Sequence, residues 1–230
     1  MSSHDQAAYE LIRSRRRTLA LVVTADGRLQ VRAPLRLPAA VIDRFVEEKA
    51  AWIAARRAEM AEREENRDTF VLRPGSAIPC RGREIRLASG GAERFEEDTL
   101  TLPDTVWRQG ESAVRAALAG WYRRRAEREL PAVVERYAAL TGWRPTGIRI
   151  TGARTRWGSC SGRNSVNFSW RLLMAPEEAV EYVVVHELAH TVEHNHSPRF
   201  WSLVEGVLPD WKGRRQRLRE LERRLAEENW

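Results

Sequence analysis

The sequence predicts an α+β fold in which a section rich in β-strands precedes a section rich in helices. Residues 9–31 alternate apolar and polar side chains and predict one strand on each side of Asp26-Gly27, a dipeptide typical of hairpin turns. Residues 111–140 are instead rich in Ala, Leu and Arg, which favour helix. With 230 residues, of which 43% are hydrophobic, the chain is long enough and apolar enough to bury a core.

The N-terminal section contains the predicted hairpin, one long helix and a set of short strands. The helix is predicted over residues 38–65, where apolar side chains recur at helical spacing among charged ones. Short antiparallel strands are predicted over residues 70–102, because Pro and Gly interrupt the apolar runs there. The pattern changes after Pro103, so we divide the chain into residues 1–103 and 104–230, either as two domains or as parts of one compact unit.

The C-terminal section combines helices with two strands. In order, the sequence predicts a helix over 111–140, strands over 147–151 and 166–170, a helix that begins near Pro176 and is strongly apolar over 180–192, and a charged surface helix over 211–230. Pro131 is expected to bend the first helix and Gly142 to end it. Pro176 is expected in the first turn of the apolar helix, where Glu177 and Glu178 complement the helix dipole.

The charge of the chain does not by itself indicate a nucleic-acid partner. There are 39 basic and 32 acidic residues, which give a formal net charge of +7. Lysine occurs only at Lys49 and Lys212, and the many arginines are spread along the chain among glutamates. We therefore interpret the excess as a bias of composition, so that a nucleic-acid partner is allowed but not required.

Cysteine content and hydropathy limit the class of protein further. The two cysteines, Cys80 and Cys160, are too few for a disulfide framework or a four-thiolate zinc ribbon. The first 17 residues are polar and rich in Arg, and no apolar stretch approaches the roughly 20 residues that span a bilayer. These features predict a cytoplasmic protein with no membrane partner, and they leave its oligomeric state open.

The histidines are concentrated in one short segment. Four of the five lie within residues 186–196, and the fifth is His4. The sequence HELAH, an instance of HExxH, lies inside the predicted apolar helix. Because residues four apart on a helix lie about 40° apart in projection and about 6 Å apart along the axis, His186 and His190 can hold one metal ion. Glu187 can then take a proton from water that the ion activates. The alternative is a chance match with ordinary packed or solvated histidines.

A catalytic zinc site needs a third protein ligand, for which the chain offers His194, His196 and Glu205. On a continuing helix His194 would lie about 12 Å along the axis from His186, too far for a shared ion. His194 is therefore expected to be exposed or to support a ligand. The choice is between His196 and Glu205.

A chain turn favours His196 as that third ligand. Asn195 tolerates the left-handed conformation that ends helices, and Ser197-Pro198 is typical of a cap and first-turn residue of a new helix. A turn between Asn195 and Ser197 can swing His196 back toward the metal. We therefore prefer His196 to Glu205.

Three motifs together resemble one known family: HELAHTVEHNHSPRFW, RTRWGSCS upstream of it, and NFSW between them. They resemble the YgjP-like family of metal-dependent hydrolases, which is related to the SprT-like and WLM zinc proteases. The resemblance covers about residues 145–215 and, more loosely, the whole chain. It implies a zincin-like core, in which the HExxH helix lies beside a small sheet and one catalytic zinc ion is bound by His186, His190 and His196, with Glu187 as base. The Cys-rich ribbon that SprT-like proteins often carry is missing, so their DNA-linked targeting is not expected.

The motif RTRWGSC, which begins at Arg154, has two interpretations. As a functional segment it would bind substrate through Arg154, Arg156 and Ser159, with an edge strand pairing an extended peptide and Arg156 or a backbone N–H stabilising the oxyanion. As a structural segment it would place Trp157 and Cys160 in the core beneath the helix. We expect packing for the last two side chains.

The predicted function is zinc-dependent hydrolysis of peptide bonds, with Glu187 as general base. A second hypothesis is a metal-dependent phosphohydrolase, or pyrophosphatase, that acts on a nucleotide held by arginines, although the chain has no P-loop. A third is a DNA-associated binding module with a structural metal. The substrate would accordingly be a polypeptide or a small molecule.

Overall fold

The structure is a computed structural model that describes residues 9–24 and 26–230, so His4 lies outside the described residues. Helices and small sheets confirm the predicted α+β class. Contacts within the chain define two compact units, one formed by the chain up to residue 70 with 226–230, the other by 71–225. The boundary between these units lies near residue 70. It does not test the division into domains at residue 103, which stays a prediction.

The first unit contains a three-stranded sheet. Its strands are β1 (Tyr9–Ser14), β2 (Ala20–Val23) and β3 (Leu29–Pro34), in the order β1-β3-β2. The predicted hairpin joins β2 to β3, and Gly27 adopts the left-handed φ of +75° that its turn requires. The prediction of a single first strand was wrong. The chain breaks after Ser14, and β1 pairs in parallel with β3.

Two helices cover this sheet where the sequence predicted one. They are α1 (Ala39–Glu48) and α2 (Ala50–Thr69), and Ile42 of α1 is fully buried among apolar side chains of the sheet. The break falls at Lys49, whose backbone N–H is shared between the carbonyls of Phe45 at 3.2 Å and Val46 at 3.1 Å. Sharing of this kind tightens the last turn of a helix and marks its end. The apolar residues keep their helical spacing across this break, so the sequence pattern alone predicts one helix.

The second unit begins with a four-stranded sheet. Its strands are β4 (Ala77–Cys80), β5 (Arg83–Gly90), β6 (Arg94–Glu96) and β7 (Thr99–Pro103), in the order β4-β5-β7-β6. Two antiparallel pairs, β4 with β5 and β6 with β7, agree with the prediction. The central pair does not agree, because β5 and β7 run parallel. Nothing in the local turn signals specifies that pairing.

A short helix, α3 (Asp104–Arg108), and a long one, α4 (Glu111–Thr141), follow this sheet. Pro131 lies inside α4. The helix ends as predicted at Gly142, which has a left-handed φ of 76° and whose N–H donates to the carbonyl of Ala138 at 2.9 Å. The buried side chains of α4 include Leu118, Tyr122 and Leu130.

A second three-stranded sheet and a buried helix form the centre of this unit. The strands are β8 (Gly147–Thr151), β9 (Gly158–Cys160) and β10 (Ser165–Ser169), in the order β8-β10-β9. A 3₁₀ helix, Trp170–Met174, leads to α5 (Glu177–Ala189), which contacts both α4 and β9. Because α5 has neighbours on both sides, nearly all of its side chains are buried. Pro176 is its N-cap residue rather than a helical one.

The last two helices are α6 (Pro198–Val207) and α7 (Trp211–Glu227). Although α7 is as highly charged as predicted, Leu218, Leu221 and Leu225 are buried along one of its faces. Among the described residues, no helix is both long enough and apolar enough to cross a membrane.

An ion-pair network fixes the start of α5. Arg81, in the turn between β4 and β5, pairs with Glu177 in the first turn of α5 and with Glu129 of α4, the latter at 3.2 Å. Arg125 also contacts Glu129, at 2.8 Å. These contacts tie α5 to α4 and to the four-stranded sheet, and α5 in turn positions the candidate site.

Candidate metal centre

Three histidine side chains converge at the end of α5. The Nε2 atom of His196 lies 3.1 Å from Nε2 of His186 and 3.2 Å from Nε2 of His190. Among the described residues, these three form a group that could hold a metal ion. One ring nitrogen from each lies within 4.8 Å of the other two. His186 belongs to the last turn of α5 and His190 is its C-cap residue, so the helix ends at Ala189, three residues before the predicted position.

A tight turn after α5 brings His196 back to the helix. Ser197 caps α6 by accepting a hydrogen bond from the N–H of Phe200 at 3.3 Å, and Pro198 is the first helical residue, as the sequence predicted. Asn195 does not adopt the predicted left-handed conformation. The turn is instead closed by the N–H of Ser197, which donates to the carbonyl of Asn195 at 2.7 Å.

The hydrogen bonding of His190 fits a metal ligand. Its Nδ1 lies 3.1 Å from the carbonyl oxygen of Glu193, and because a carbonyl can only accept, Nδ1 must carry the proton. In the neutral ring, Nε2 of His190 then presents a lone pair to Nε2 of His196. The short approach of the two Nε2 atoms requires a proton or a metal ion between them. Nitrogens bound tetrahedrally to zinc would be about 3.3 to 3.4 Å apart, close to the observed spacing.

Burial favours the neutral form of two of these imidazoles, His186 and His190. It lowers the pKa of His186 to about 3, with further lowering by the charges of His190 and His196. Burial also lowers the pKa of His190, which is only 9% exposed. Phe200 stacks on the ring of His190, with centroids 4.4 Å apart, and supplies part of that apolar surrounding. Neutral imidazole is the form that binds metals.

Glu187 is the buried carboxylate beside this cluster. It is 6% exposed, and its Oε2 atom is buried with no hydrogen-bond partner among the described residues. Burial raises its pKa to about 7, while Arg156 opposes that rise. A buried carboxylate oxygen without a partner costs free energy unless a ligand or water satisfies it. This oxygen can therefore accept a hydrogen bond from a bound ligand or water.

The comparison with known families agrees with this geometry. The profile of the family described as YgjP-like, metallopeptidase domain, matches residues 17–221 of the chain. The chain belongs to the YgjP-like family. Comparisons with curated proteins and with solved structures gave no match. The resemblance found in the motifs is thereby confirmed and extends beyond residues 145–215, and membership supports a metal-dependent hydrolase.

In this YgjP-like chain, a cleft of about 630 Å³ opens beside the histidines. One wall comes from α5, through Tyr182, His186 and Glu187, and another from the segment that leads into β9. The third wall is α7. Residues of α7 that line the cleft are Arg215, Leu218, Arg219 and Glu222. A substrate bound here would reach both the histidine cluster and Glu187.

The structure brings some predicted substrate-binding residues to the cleft and not others. Arg156 lines it, whereas Arg154 is exposed outside it. Ser159 does not line it either, and its hydroxyl instead accepts a hydrogen bond from the side-chain amide of Asn167 at 3.3 Å. The expectation that Trp157 fills the core was wrong, because its side chain lines the cleft.

The two rejected candidates for a third ligand lie elsewhere. His194 is exposed, and it is not among the histidines that converge. Glu205 is exposed on α6 and also lies outside the cluster. The structure thus juxtaposes His196, rather than either of these, with His186 and His190.

Two features of the YgjP-like site were missed in the sequence. One is the contribution of α7, which was taken for a surface helix although its arginines at positions 215 and 219 share one face. The other is Gly158, where an added Cβ would lie 2.7 Å from Oε1 of Glu187. The glycine was visible in RTRWGSC, but its neighbour could only be found once β9 was seen to contact α5.

Proposed function

We propose that this YgjP-like protein is a zinc-dependent metallopeptidase with a zincin-like core, in which α5 is the HExxH helix and the sheet β8-β10-β9 lies beside it. His186, His190 and His196 would hold the ion through their Nε2 atoms, and Glu187 would be the general base. The observation that carries this proposal is the convergence of three imidazoles, with Nε2 of His196 within 3.2 Å of Nε2 of both other histidines, at a cleft that Glu187 also lines.

The chain's own residues supply proton transfer and charge stabilisation. When bound, zinc polarises the scissile carbonyl and acidifies water. Glu187 takes a proton from the attacking water at its carboxylate and returns it to the nitrogen of the leaving amine. Arg156 lines the same cleft, and its charge lowers the pKa of Glu187, so we assign it to the negative charge that develops on the substrate oxygen.

Aromatic side chains pack against part of the histidine cluster. Phe200 and Trp201 pack against the histidine rings, with Trp201 stacked on His196 at 5.7 Å between centroids. Tyr182 stacks on Trp211 with ring centroids 6.4 Å apart and covers the helix one turn before His186. These contacts help to fix the ring orientation of the histidines.

The experiment measures metal content and peptide hydrolysis on the full chain and on Glu187→Gln. We expect about one zinc ion per chain in both proteins and a loss of hydrolysis of about 10²- to 10⁴-fold in the variant. Glu205→Gln is the matched control, since it alters an exposed carboxylate outside the cluster. Full activity in Glu187→Gln would rule out the mechanism, and loss of zinc in Glu205→Gln would assign the third ligand to Glu205.

One observation favours a second candidate, a metal-dependent phosphohydrolase. Three arginines, Arg156, Arg215 and Arg219, line the cleft and could clamp phosphate groups. Nucleoside triphosphates should therefore be assayed beside peptides, with the same Glu187→Gln control. Hydrolysis of the nucleotides alone would establish this second function in place of the first.

A further inference from the structure

The arginines of α7 differ in their partners. Three that do not line the cleft pair with carboxylates: Arg214 with Glu181 at 2.6 Å and Asp210 at 2.8 Å, Arg217 with Glu178 at 2.5 Å, and Arg224 with Glu84 at 2.6 Å. Arg223, which is also outside the cleft, is exposed and forms no ion pair with a described residue. The two that line the cleft, Arg215 and Arg219, form no ion pair with any residue in the described part of the chain.

Arg215 and Arg219 are also an unfavourable pair within the helix itself. They are four residues apart, so they lie on the same face of α7. Like charges at this spacing destabilise a helix. A bound anion would replace this repulsion with two charge-assisted hydrogen bonds.

Arg215 lies close to the candidate metal centre, and Arg219 acts on Tyr182 of the same cleft. The guanidinium carbon of Arg215 is 5.9 Å from the ring centroid of Trp201, the same ring that stacks on His196. Burial raises the pKa of Tyr182, and the charges of Arg215 and Arg219 both oppose that rise. Both guanidinium groups therefore act on the part of α5 that precedes His186.

The other charges of the cleft leave the two arginines uncompensated. Arg156 is the third cation, and its charge acts on Glu187. Glu222 is the second acid, and its Oε1 accepts a hydrogen bond from Nε1 of Trp157 at 2.7 Å. No ion pair joins Glu222 to Arg219 within this described wall, although they are three residues apart on one helix.

We propose that Arg215 and Arg219 form a subsite that binds an acidic side chain of a peptide substrate next to the scissile bond. The proposal rests on the proposed peptidase function, because it places this side chain in the same cleft as Glu187. Guanidinium groups bind carboxylates through paired hydrogen bonds, which gives direction as well as charge. An uncharged amide of the same shape would lose the charge-assisted part of that interaction.

The test measures binding rather than turnover. The zinc-loaded full chain carrying Glu187→Gln is titrated into two fluorescent octapeptide pools, matched except that one contains Asp and Glu where the other contains Asn and Gln. We expect the acidic pool to bind at least about tenfold more tightly. The double change Arg215→Gln with Arg219→Gln should abolish this preference, and Arg223→Gln, which alters an exposed arginine of α7 outside the cleft, should preserve it.

Cleavage of both pools by the wild-type chain is followed in parallel, so that the two proposals can fail separately. Equal binding of the pools, or a preference that survives the double change, would overturn the subsite even if peptides are cleaved. A preference that depends on the two arginines, without any cleavage, would support the subsite and overturn the peptidase function. Tight binding of a nucleoside triphosphate with no binding of the acidic pool would overturn the acidic-peptide proposal.

Discussion

Gly158 lies directly against Glu187, since a Cβ added at Gly158 would be 2.7 Å from both Cγ and Oε1 of the glutamate and 2.9 Å from Cδ. The glycine belongs to β9, the edge strand that contacts α5. Its φ is not in the left-handed region, so the requirement for glycine comes from close approach rather than from backbone conformation. The strand thus holds the carboxylate in place from one side.

Replacing Gly158 with alanine should displace the carboxylate and impair hydrolysis. We expect the rate to fall at least about tenfold with zinc content unchanged, because a shift of the base is costly while the histidines are untouched. Steady-state kinetics and metal analysis would check this. Gly162→Ala is the control, since a Cβ there meets no atom within 4 Å. If Gly158→Ala hydrolyses peptides as fast as Gly162→Ala, then the close contact between Gly158 and Glu187 is not needed for hydrolysis.

Trp157 should contribute to substrate binding through its contact with α7. Its Nε1 donates to Glu222 at 2.7 Å while the ring lines the cleft. Trp157→Phe keeps an aromatic ring but removes the donor, so we expect KM to rise about fivefold, in line with one lost hydrogen bond, with kcat unchanged. Glu222→Gln keeps an acceptor oxygen and should behave like the wild type. A fall in kcat at constant KM would contradict a binding role.

Ser197 should couple the stability of α6 to zinc binding. Its side chain caps the helix at Phe200 N–H, and it directly follows His196. Ser197→Ala should lower the free energy of unfolding by about 1 kcal/mol and weaken zinc binding, because the turn that places His196 loosens. Thermal unfolding and a chelator competition would measure both effects. Ser202→Ala, which removes only an exposed bond to the carbonyl of Pro198, should change neither.

The stability of the second unit should depend on the ionisation of Glu129. Burial acts to raise the pKa of this carboxyl, but Arg125 and Arg81 outweigh it, so the pKa in the folded protein is lowered. A group with a lowered folded pKa stabilises the protein above its unfolded pKa, about 4.3 for Glu. That stabilisation is lost as the pH falls through the folded pKa.

Urea unfolding of Glu129→Gln at several pH values tests this dependence. The variant should be less stable than the wild type by about 1 to 2 kcal/mol at pH 7, and the difference should shrink below about pH 4. Glu135→Gln is the control, because Glu135 forms only an exposed pair with Arg144 at 3.6 Å. A constant difference across pH would mean that Glu129 acts through packing rather than charge.

The local signals of the sequence accounted for α5 and the turn after it. The spacing of HELAH predicted that His186 and His190 lie one turn apart at the end of a helix, with Glu187 beside them. Ser197-Pro198 predicted the start of a new helix, which the structure contains. These are short-range effects of capping and helical period, which act within a few residues. They predicted a turn that returns His196 toward α5, but not the hydrogen bond between Ser197 and Asn195 that closes it.

Features that depend on distant residues could not be predicted. Which arginines of α7 are neutralised depends on carboxylates far away in the sequence, such as Glu84 and Glu178. The parallel pairing of β5 with β7 places two hairpins side by side, and local turn signals do not specify that arrangement. The close approach of Gly158 to Glu187 likewise exists only after β9 packs on α5.

The most direct test of the metal centre is a crystal structure of the zinc-loaded chain with anomalous data collected at the zinc edge. The account predicts one strong peak about 2.0 to 2.1 Å from Nε2 of His186, His190 and His196, with Glu187 nearby but not bound to the ion. A peak coordinated by His194 or Glu205, or no peak at the three histidines, would contradict it.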